Sequence, residues 1–305
     1  MKMNQDVFGS SPIKSIAVIT NYNIQEKRET AIKVIEKLVE LDCRVVLPIR
    51  SADRVTPLPQ WDGKVEFLPF DKLYKNLGAV IVLGGDGTIL ESARYAALNG
   101  VPVLGMNLGR LGYLAELEMS ELDDLKKVLS GEYYLEEHSM IKVSLVSERR
   151  GKIHCGYALN DAVVSNPSSA RVIDLELFEN ENVVSTYRAD GLIVATPTGS
   201  TAYSMSAGGS VIDPRLKCIC VTPICPHSFG SKPMVFPEYA ELEIRNRCQR
   251  EKFISLVIDG RKSFEVYYGD TVCISKAATT AKFIRLKPRS FYLTLCRKMQ
   301  NGIGG

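Results

Sequence analysis

An unbroken aliphatic run, Ala79-Val80-Ile81-Val82-Leu83, opens directly into Gly84-Gly85-Asp86-Gly87-Thr88, and this junction limits the fold more than any other stretch. An apolar run without alternation predicts a strand buried on both faces of a parallel sheet. Glycines immediately after such a strand let the backbone turn sharply and let a ligand approach with no Cβ in the way. Thr88 to Leu98 is rich in Ala and Leu with apolar positions at helical spacing. It predicts a helix whose leading N–H groups and positive dipole end face the same crevice. Gly84, Gly85, Gly87 and Thr88 then form a candidate phosphate cradle with Asp86 at its centre. A carboxylate there repels phosphate unless Mg²⁺ or a substrate hydroxyl stands between them, so Asp86 reads as a base or metal-facing group. The structural alternative is a plain Gly-Asp-Gly turn without chemistry. Neither G-x-x-x-x-G-K-[ST] nor G-x-G-x-x-G occurs at this helix, so a nucleotide would be held differently here.

With 305 residues the chain has room for two medium domains, each with its own core. The 38 Lys and Arg barely exceed the 35 Asp and Glu, which gives no argument for nucleic acid or a membrane surface. No apolar run approaches the roughly 18 residues that span a bilayer, and a cytoplasmic protein is expected. The eight cysteines are scattered without C-x-x-C pairs and read as reduced core thiols rather than zinc ligands or disulfides. Only His138, His154 and His227 offer imidazoles, which argues against a His-based metal site or a Ser-His-Asp triad.

Strand and helix alternate through the first part of the chain: strand Ser15 to Thr20, amphipathic helix Glu26 to Leu41, strand Arg44 to Pro48, the buried strand ending at Leu83, the helix after Gly87, and strand Val101 to Gly105. That order predicts a doubly wound α/β domain over residues 1–132. Ser51 to Gly63, with Pro57, Pro59 and Trp61, lacks periodicity and reads as a loop able to lie over the crevice. From Tyr133 the pattern becomes short alternating or β-branched segments, among them Met140 to Ser147, Tyr157 to Ser165, Val172 to Phe178, Leu192 to Ala195 and Ile254 to Ile258. They predict an all-β, sandwich-like second domain over 133–285, with Ser200 to Gly208 as its short helix. Ser290 to Met299 is apolar enough to dock, and spacing does not decide whether 286–305 packs back on the first domain.

Three further stretches carry candidate ligands. Gly105 to Leu114 is a glycine-rich turn presenting Asn107, Arg110 and Tyr113, with a structural loop as its alternative. Leu159-Asn160-Asp161 places an amide and a carboxylate within a β segment, where turn formers and hydrogen-bonded core groups also occur. Arg188-Ala189-Asp190-Gly191 is followed by Thr196-Pro197-Thr198-Gly199-Ser200-Thr201-Ala202-Tyr203, which leads on to Ser206. Hydroxyls, free N–H groups and an aromatic ring together suit a ribose, a phosphate and a flat base. A single helix cap would explain only one of those hydroxyls.

These segments resemble the NAD kinases. Gly84-Gly85-Asp86-Gly87-Thr88 is similar to that family's G-G-D-G motif. Asn107 to Leu114, Thr196 to Ser204 and Thr222 to Ser228 resemble its later segments in the same order, so the resemblance runs from about Ile16 to Leu295. It implies a bacterial-type, Mg²⁺-dependent transferase that moves the terminal phosphoryl group of ATP or polyphosphate to the 2′-hydroxyl of the adenosine ribose of NAD, giving NADP. It further implies Asp86 as the base, with Asn160 and Asp161 on the ribose or adenosine side. Thr198, Thr201, Ala202, Tyr203 and Ser206 would hold the second nucleotide half in a β-rich NAD-binding domain. Arg171, Arg188 and Asp190 fall where the family places contacts, some across a subunit boundary, so a homodimer or homotetramer with a shared site is implied. Many members carry Glu where this chain has Asp161, and Phe229 to Pro233 has Lys232 in place of an expected Arg. The alternatives are a lipid kinase of the diacylglycerol or sphingosine type and a non-catalytic NAD(P)-sensing module.

Overall fold

The computed structural model describes residues 11–108, 112–167, 171–228, 230–288 and 290–301. Arg110, Gly109 and Phe229 lie outside the described residues. The chain divides into two compact units, Met1–Glu137 with Ala281–Gly305, and His138–Thr280.

In the first unit β1 (Ser15–Ile19) leads through α1 (Gln25–Glu40) to β2 (Arg44–Pro48) and β3 (Val65–Leu68). The chain then returns to the other side of β1 as β4 (Ala79–Leu83), followed by α2 (Asp86–Ala97), β5 (Val103–Asn107), β6 (Ala115–Glu118), α3 (Leu125–Ser130) and β7 (Tyr134–His138). The sheet order is β3-β2-β1-β4-β5, extended by the late strand Ala281–Arg285 and β7, and β1 to β5 pair in parallel. Strand order therefore reverses between β1 and β4, where an open α/β sheet leaves a crevice at the carboxyl ends of its strands. Every residue of β4 is buried, as its unbroken aliphatic sequence requires. At that reversal the Thr20 hydroxyl donates to the Leu83 carbonyl at 2.9 Å, tying the ends of β1 and β4 together.

Two expectations shift. Helix α2 starts at Asp86, so Asp86 is its first residue and not part of the preceding turn. Strand β5 starts two residues late because the Val101 N–H is still bonded to the Ala96 carbonyl at the end of α2. The 51–63 segment is anchored by Trp61, which is fully buried in the core with Val34, Leu38 and Leu47; one 3₁₀ turn, Ile49–Ser51, leads into it and a second, Pro59–Trp61, lies within it.

The second unit holds β8 (Ile141–Ser147), β9 (Gly151–Ala158), β10 (Asp161–Ser165), β11 (Ile173–Glu179), β12 (Asn182–Ala189), β13 (Gly191–Ala195) and β14 (Cys218–Ile224). β15 (Met234–Pro237), β16 (Leu242–Asn246), β17 (Ile254–Ile258), β18 (Lys262–Val266) and β19 (Thr271–Lys276) complete it. They form two antiparallel sheets, β15-β14-β13-β10-β17-β18 and β12-β11-β16-β19-β8-β9. Inward residues such as Val164, Leu192, Val194 and Leu256 of one sheet and Val143, Leu175, Ile244 and Val272 of the other share one apolar core. This is a β-sandwich. The segment from Tyr157 to Ser165 is not one strand: it breaks at Leu159-Asn160, where other parts of the unit take up the backbone groups. The predicted helix after Ser200 is a 3₁₀ turn, Thr198–Thr201, and one helical turn, Tyr203–Ser206, separated by the non-helical Ala202. Among the described residues no helix is long and apolar enough to cross a membrane.

Candidate active site

In the first unit the site is built around the start of α2. Gly85 precedes the helix with no side-chain cap, and Asp86 and Gly87 open its first turn, where backbone N–H groups point out of the helix end. A Cβ at Gly85 or Gly87 would meet nothing within 4 Å, so the backbone is open to a ligand there. At Gly84 a Cβ would press on the Thr88 side chain at 3.1 Å. The Asp86 carboxylate turns back over the end of the sheet. Its Oδ2 accepts the Tyr113 N–H at 3.0 Å and its Oδ1 the Leu114 N–H at 3.1 Å. Each carboxylate oxygen offers two lone-pair directions, so a hydroxyl can still donate to it.

The support for this arrangement is close. A Cβ at Gly112 would lie 2.9 Å from the Asp86 carboxyl carbon, so glycine is needed there for the carboxylate to fit. Behind Leu114, Arg285 is 2% exposed and donates to the Leu114 carbonyl at 3.1 Å. Arg285 is itself paired with Glu136 at 3.2 Å and with buried Glu116 at 3.5 Å. Glu116 also accepts the Leu286 N–H at 2.9 Å. Asn107 is buried at the end of β5, on a cavity of about 410 Å³ that Glu26, Lys27, Thr30, Leu108 and Glu118 also line. Tyr113 is partly buried, and burial together with the Asp86 charge raises its phenol above the usual range.

In the second unit the break at Leu159-Asn160 meets the Thr-Pro-Thr-Gly segment. The Thr196 N–H donates to the Asn160 carbonyl at 2.9 Å, and the Thr196 hydroxyl donates to the Leu159 carbonyl at 2.5 Å. The same hydroxyl accepts the Gly199 N–H at 3.1 Å. Gly199 packs so tightly that a Cβ would lie 2.8 Å from Asn160 Cα. Thr198 is buried, its hydroxyl 2.8 Å from His138 Nδ1. Tyr203 is 48% exposed, so its ring is available to a ligand and is not a core group.

Sequence models of the ATP-NAD kinase N-terminal domain and of the ATP-NAD kinase C-terminal domain match residues 16–133 and 159–286. The chain belongs to the ATP-NAD kinase family. It is 44% identical to the NAD kinase of Carboxydothermus hydrogenoformans over 239 residues, which is 78% of this chain and 85% of that protein. To the NAD kinase of Heliobacterium modesticaldum it is 37% identical over 292 residues, 94% of this chain and 99% of that one. The structure of an NAD kinase from Archaeoglobus fulgidus in complex with ATP is similar at a TM-score of 0.69 and 27% identity, covering 94% of this chain and 98% of that chain. Yeast NADH kinase complexed with NADH shares the fold, with a TM-score of 0.84 at 24% identity over 96% of this chain and 88% of that chain. This family member is thus a kinase with the α/β plus β-sandwich fold class expected from its sequence. The lipid-kinase alternative lapses, because the matches run through both domains rather than resting on the Gly-Gly-Asp-Gly turn.

Not every candidate residue of this NAD kinase family member gathers in one place. Asn160, Asp161, Thr198, Thr201, Ala202 and Tyr203 lie at one end of β10 and β13, where Asp161 pairs with Ala195. Asp190 lies at the other end, next to the pair Ser165 and Gly191. That is about four residues or some 13 Å along the strands. Arg188 is there as well, exposed and 3.9 Å from Asp174. Arg171 reaches the same end, bonded to Asn166 through its carbonyl and to Glu251 through its guanidinium. Ser206 is exposed at the end of its helical turn. Four residues escaped the sequence reading: Thr196 as a clamp, Gly112, Arg285 and Asp259. The usable signals were the Asp259-Gly260 hairpin pair and a lone Arg285 closing the apolar run Phe283-Ile284.

Asp161 is 5% exposed, and burial, then the charge of Asp259, pushes its carboxyl up to about 7. An unfolded Asp loses its proton near ~3.9. The folded chain therefore binds the extra proton between about pH 4 and about pH 7, and stability falls as pH rises through that window, by up to about 1.4 kcal/mol per unit. Asp161→Asn removes this slope. Urea midpoints at pH 5 and pH 8 check it: the variant should gain on the wild type at pH 8, and an equal difference at both values would contradict the assignment.

Proposed function

We propose that this chain transfers the terminal phosphoryl group of ATP, or of polyphosphate, to the 2′-hydroxyl of the adenosine ribose of NAD, forming NADP. The observation that carries this reading is the Asp86 carboxylate, fixed by two backbone N–H groups on the first residue of α2, at the reversal of strand order. The ribose oxygen attacks the terminal phosphorus, the bond to the donor's bridging oxygen breaks, and Asp86 accepts the hydroxyl proton. Asp86 also aims that hydroxyl, and a positioned base of this kind contributes about 10²- to 10⁴-fold. The remainder comes from positioning, as the loose transition state of phosphoryl transfer demands.

Gly85 and Gly87 bind donor phosphates through the open backbone at the helix N-terminus, while Gly84 and Thr88, whose N–H groups are bonded to the Met106 and Gly85 carbonyls, shape the cradle around them. Asn107 and Tyr113 border that cradle. Asn160 and Asp161 bind the ribose and adenosine of NAD, while Thr198, Thr201, Ala202, Tyr203 and Ser206 hold the second nucleotide half. Mg²⁺ would be carried to the site chiefly by the donor's phosphates and by water, as is usual for this ion. Bound in that way, it would supply charge neutralisation at the transferred group. The distance of Arg171, Arg188 and Asp190 from Asn160 supports a homodimer or homotetramer in which they complete a neighbour's site in a cytoplasmic enzyme.

Tyr203→Ala should weaken NAD binding by about 1 to 3 kcal/mol, the scale of a base stacked on an aromatic ring. Calorimetric titration checks this, and an unchanged dissociation constant would remove the ring from the site. The reaction itself is tested by offering NAD and Mg²⁺ with ATP and with polyphosphate in parallel. NADP from either donor supports the proposal and names the donor; none from both would refute it.

A further inference from the structure

The hairpin joining β17 to β18 turns at Asp259-Gly260, with φ of +46° and +66°, and the Arg261 N–H closes it on the Ile258 carbonyl at 3.1 Å. Positive φ at both central residues makes it the mirror-image turn that matches strand twist, and Asn-Gly would serve that geometry as well as Asp-Gly. The turn therefore does not require a carboxylate. The carboxylate is engaged on another strand. Oδ1 accepts the N–H of Asn160 at 2.8 Å and of Asp161 at 3.1 Å, and Oδ2 accepts that of Leu159 at 3.0 Å. The Asp259 N–H in turn donates to the Asp161 carbonyl at 3.0 Å. Three successive N–H groups converging on one anion form a nest, here filled from within the chain. On the carbonyl side the same three-residue turn is held by Thr196, as described above.

We propose that Asp259 is a positioning residue for the dinucleotide: its carboxylate locks the Leu159-Asn160-Asp161 turn into its ligand-ready form before substrate arrives. The proposal rests on the reading that Asn160 and Asp161 bind NAD. Its physical content is that the ordering cost of the turn is met on folding, so it does not subtract from binding. A second consequence is electrostatic. Asp259 is the charged neighbour acting on Asp161, and with burial it keeps the Asp161 proton in place up to about 7. A positioning carboxylate thereby also sets the pH at which a contact residue ionises.

The test is the dissociation constant of NAD for the wild type, Asp259→Asn and Asn160→Ala between about pH 5.5 and 8.5, with the KM for ATP measured alongside. In Asp259→Asn the amide nitrogen faces N–H donors and the charge is gone. NAD should bind at least about tenfold more weakly, with the ATP KM within about twofold. The pH midpoint of NAD binding should fall by about half a unit or more, because one cause of the raised Asp161 proton affinity is removed. NAD affinity within twofold of wild type, an equal rise in the ATP KM, or an unmoved midpoint overturns the proposal. Unchanged NAD affinity in Asn160→Ala would instead remove NAD from this turn, and the clamp's purpose with it. Should Asp259→Asn not fold, hydrogen exchange on the wild type decides: the three amides at 159–161 must be protected at least about 10²-fold without ligand, and protection appearing only with NAD overturns preorganisation.

Discussion

Asp86→Asn is expected to lower kcat by at least about 10²-fold while NAD affinity stays within about threefold. Two losses combine. The amide cannot accept the ribose proton, and its nitrogen must face one of the two N–H donors, Tyr113 or Leu114, that now converge on the carboxylate. Both changes act where the hydroxyl and phosphoryl group meet. The adenosine contacts assigned to Asn160 and Asp161 belong to another part of the chain and remain. Steady-state kinetics with an independent NAD titration separates the two quantities. Near-normal kcat would remove Asp86 from the role of base, and a parallel collapse of NAD affinity would make it a binding residue instead.

Gly199→Ala should have the largest effect on NAD binding of any single methyl group added to the second unit. Its Cβ would lie 2.5 Å from the carbonyl carbon of Asn160 and 2.8 Å from its Cα. A flexible side chain could swing away from such a contact, but these are backbone atoms held by Thr196 on one side and Asp259 on the other. The Thr-Pro-Thr-Gly segment or the Asn160 turn must therefore move. Overpacking of this kind costs about 1 to 3 kcal/mol of stability. Because the displaced turn carries Asn160 and Asp161, the NAD dissociation constant should rise at least about tenfold even in the folded fraction. Urea denaturation and NAD titration of the same preparation check both, and wild-type values in the two together would show that the turn yields freely.

The parts of the fold that were legible are those whose sequence period reflects local burial. β4 is aliphatic throughout because both of its faces are covered, and the glycines after it mark the turn at the sheet's edge. The alternation of strand and helix was enough to infer parallel pairing, and the short alternating segments after Tyr133 were enough to infer a sandwich. β14 was not legible as a strand, although it runs between β13 and β15 with every residue buried. Its Pro223 sits within the ladder opposite Leu192, where proline ordinarily argues against an inner strand.

The site was legible as residue types but not as an arrangement. Asp86 and its glycines are adjacent in sequence, so their place at the junction of β4 and α2 could be read directly. The break at Leu159-Asn160 interrupts a stretch that looks continuous, because the group deciding it, Asp259, is about a hundred residues away. Gly112 shows no local reason to be glycine until the Asp86 carboxylate occupies its Cβ position. Arg285 looks like an ordinary strand end until its bonds to Leu114, Glu116 and Glu136 are seen. Long-range hydrogen bonds to backbone leave no periodic trace in a sequence, and they are what hold this site.

The most direct measurement is ³¹P NMR of wild-type enzyme turning over NAD with ATP and Mg²⁺, followed by an NADP-specific dehydrogenase acting on the product. A phosphomonoester resonance that grows as the terminal phosphate of ATP disappears, on a product the dehydrogenase reduces, is the predicted result. Tight NAD binding with no new phosphomonoester, from protein that is folded and binds ATP, would contradict phosphoryl transfer to NAD and leave a dinucleotide-sensing module.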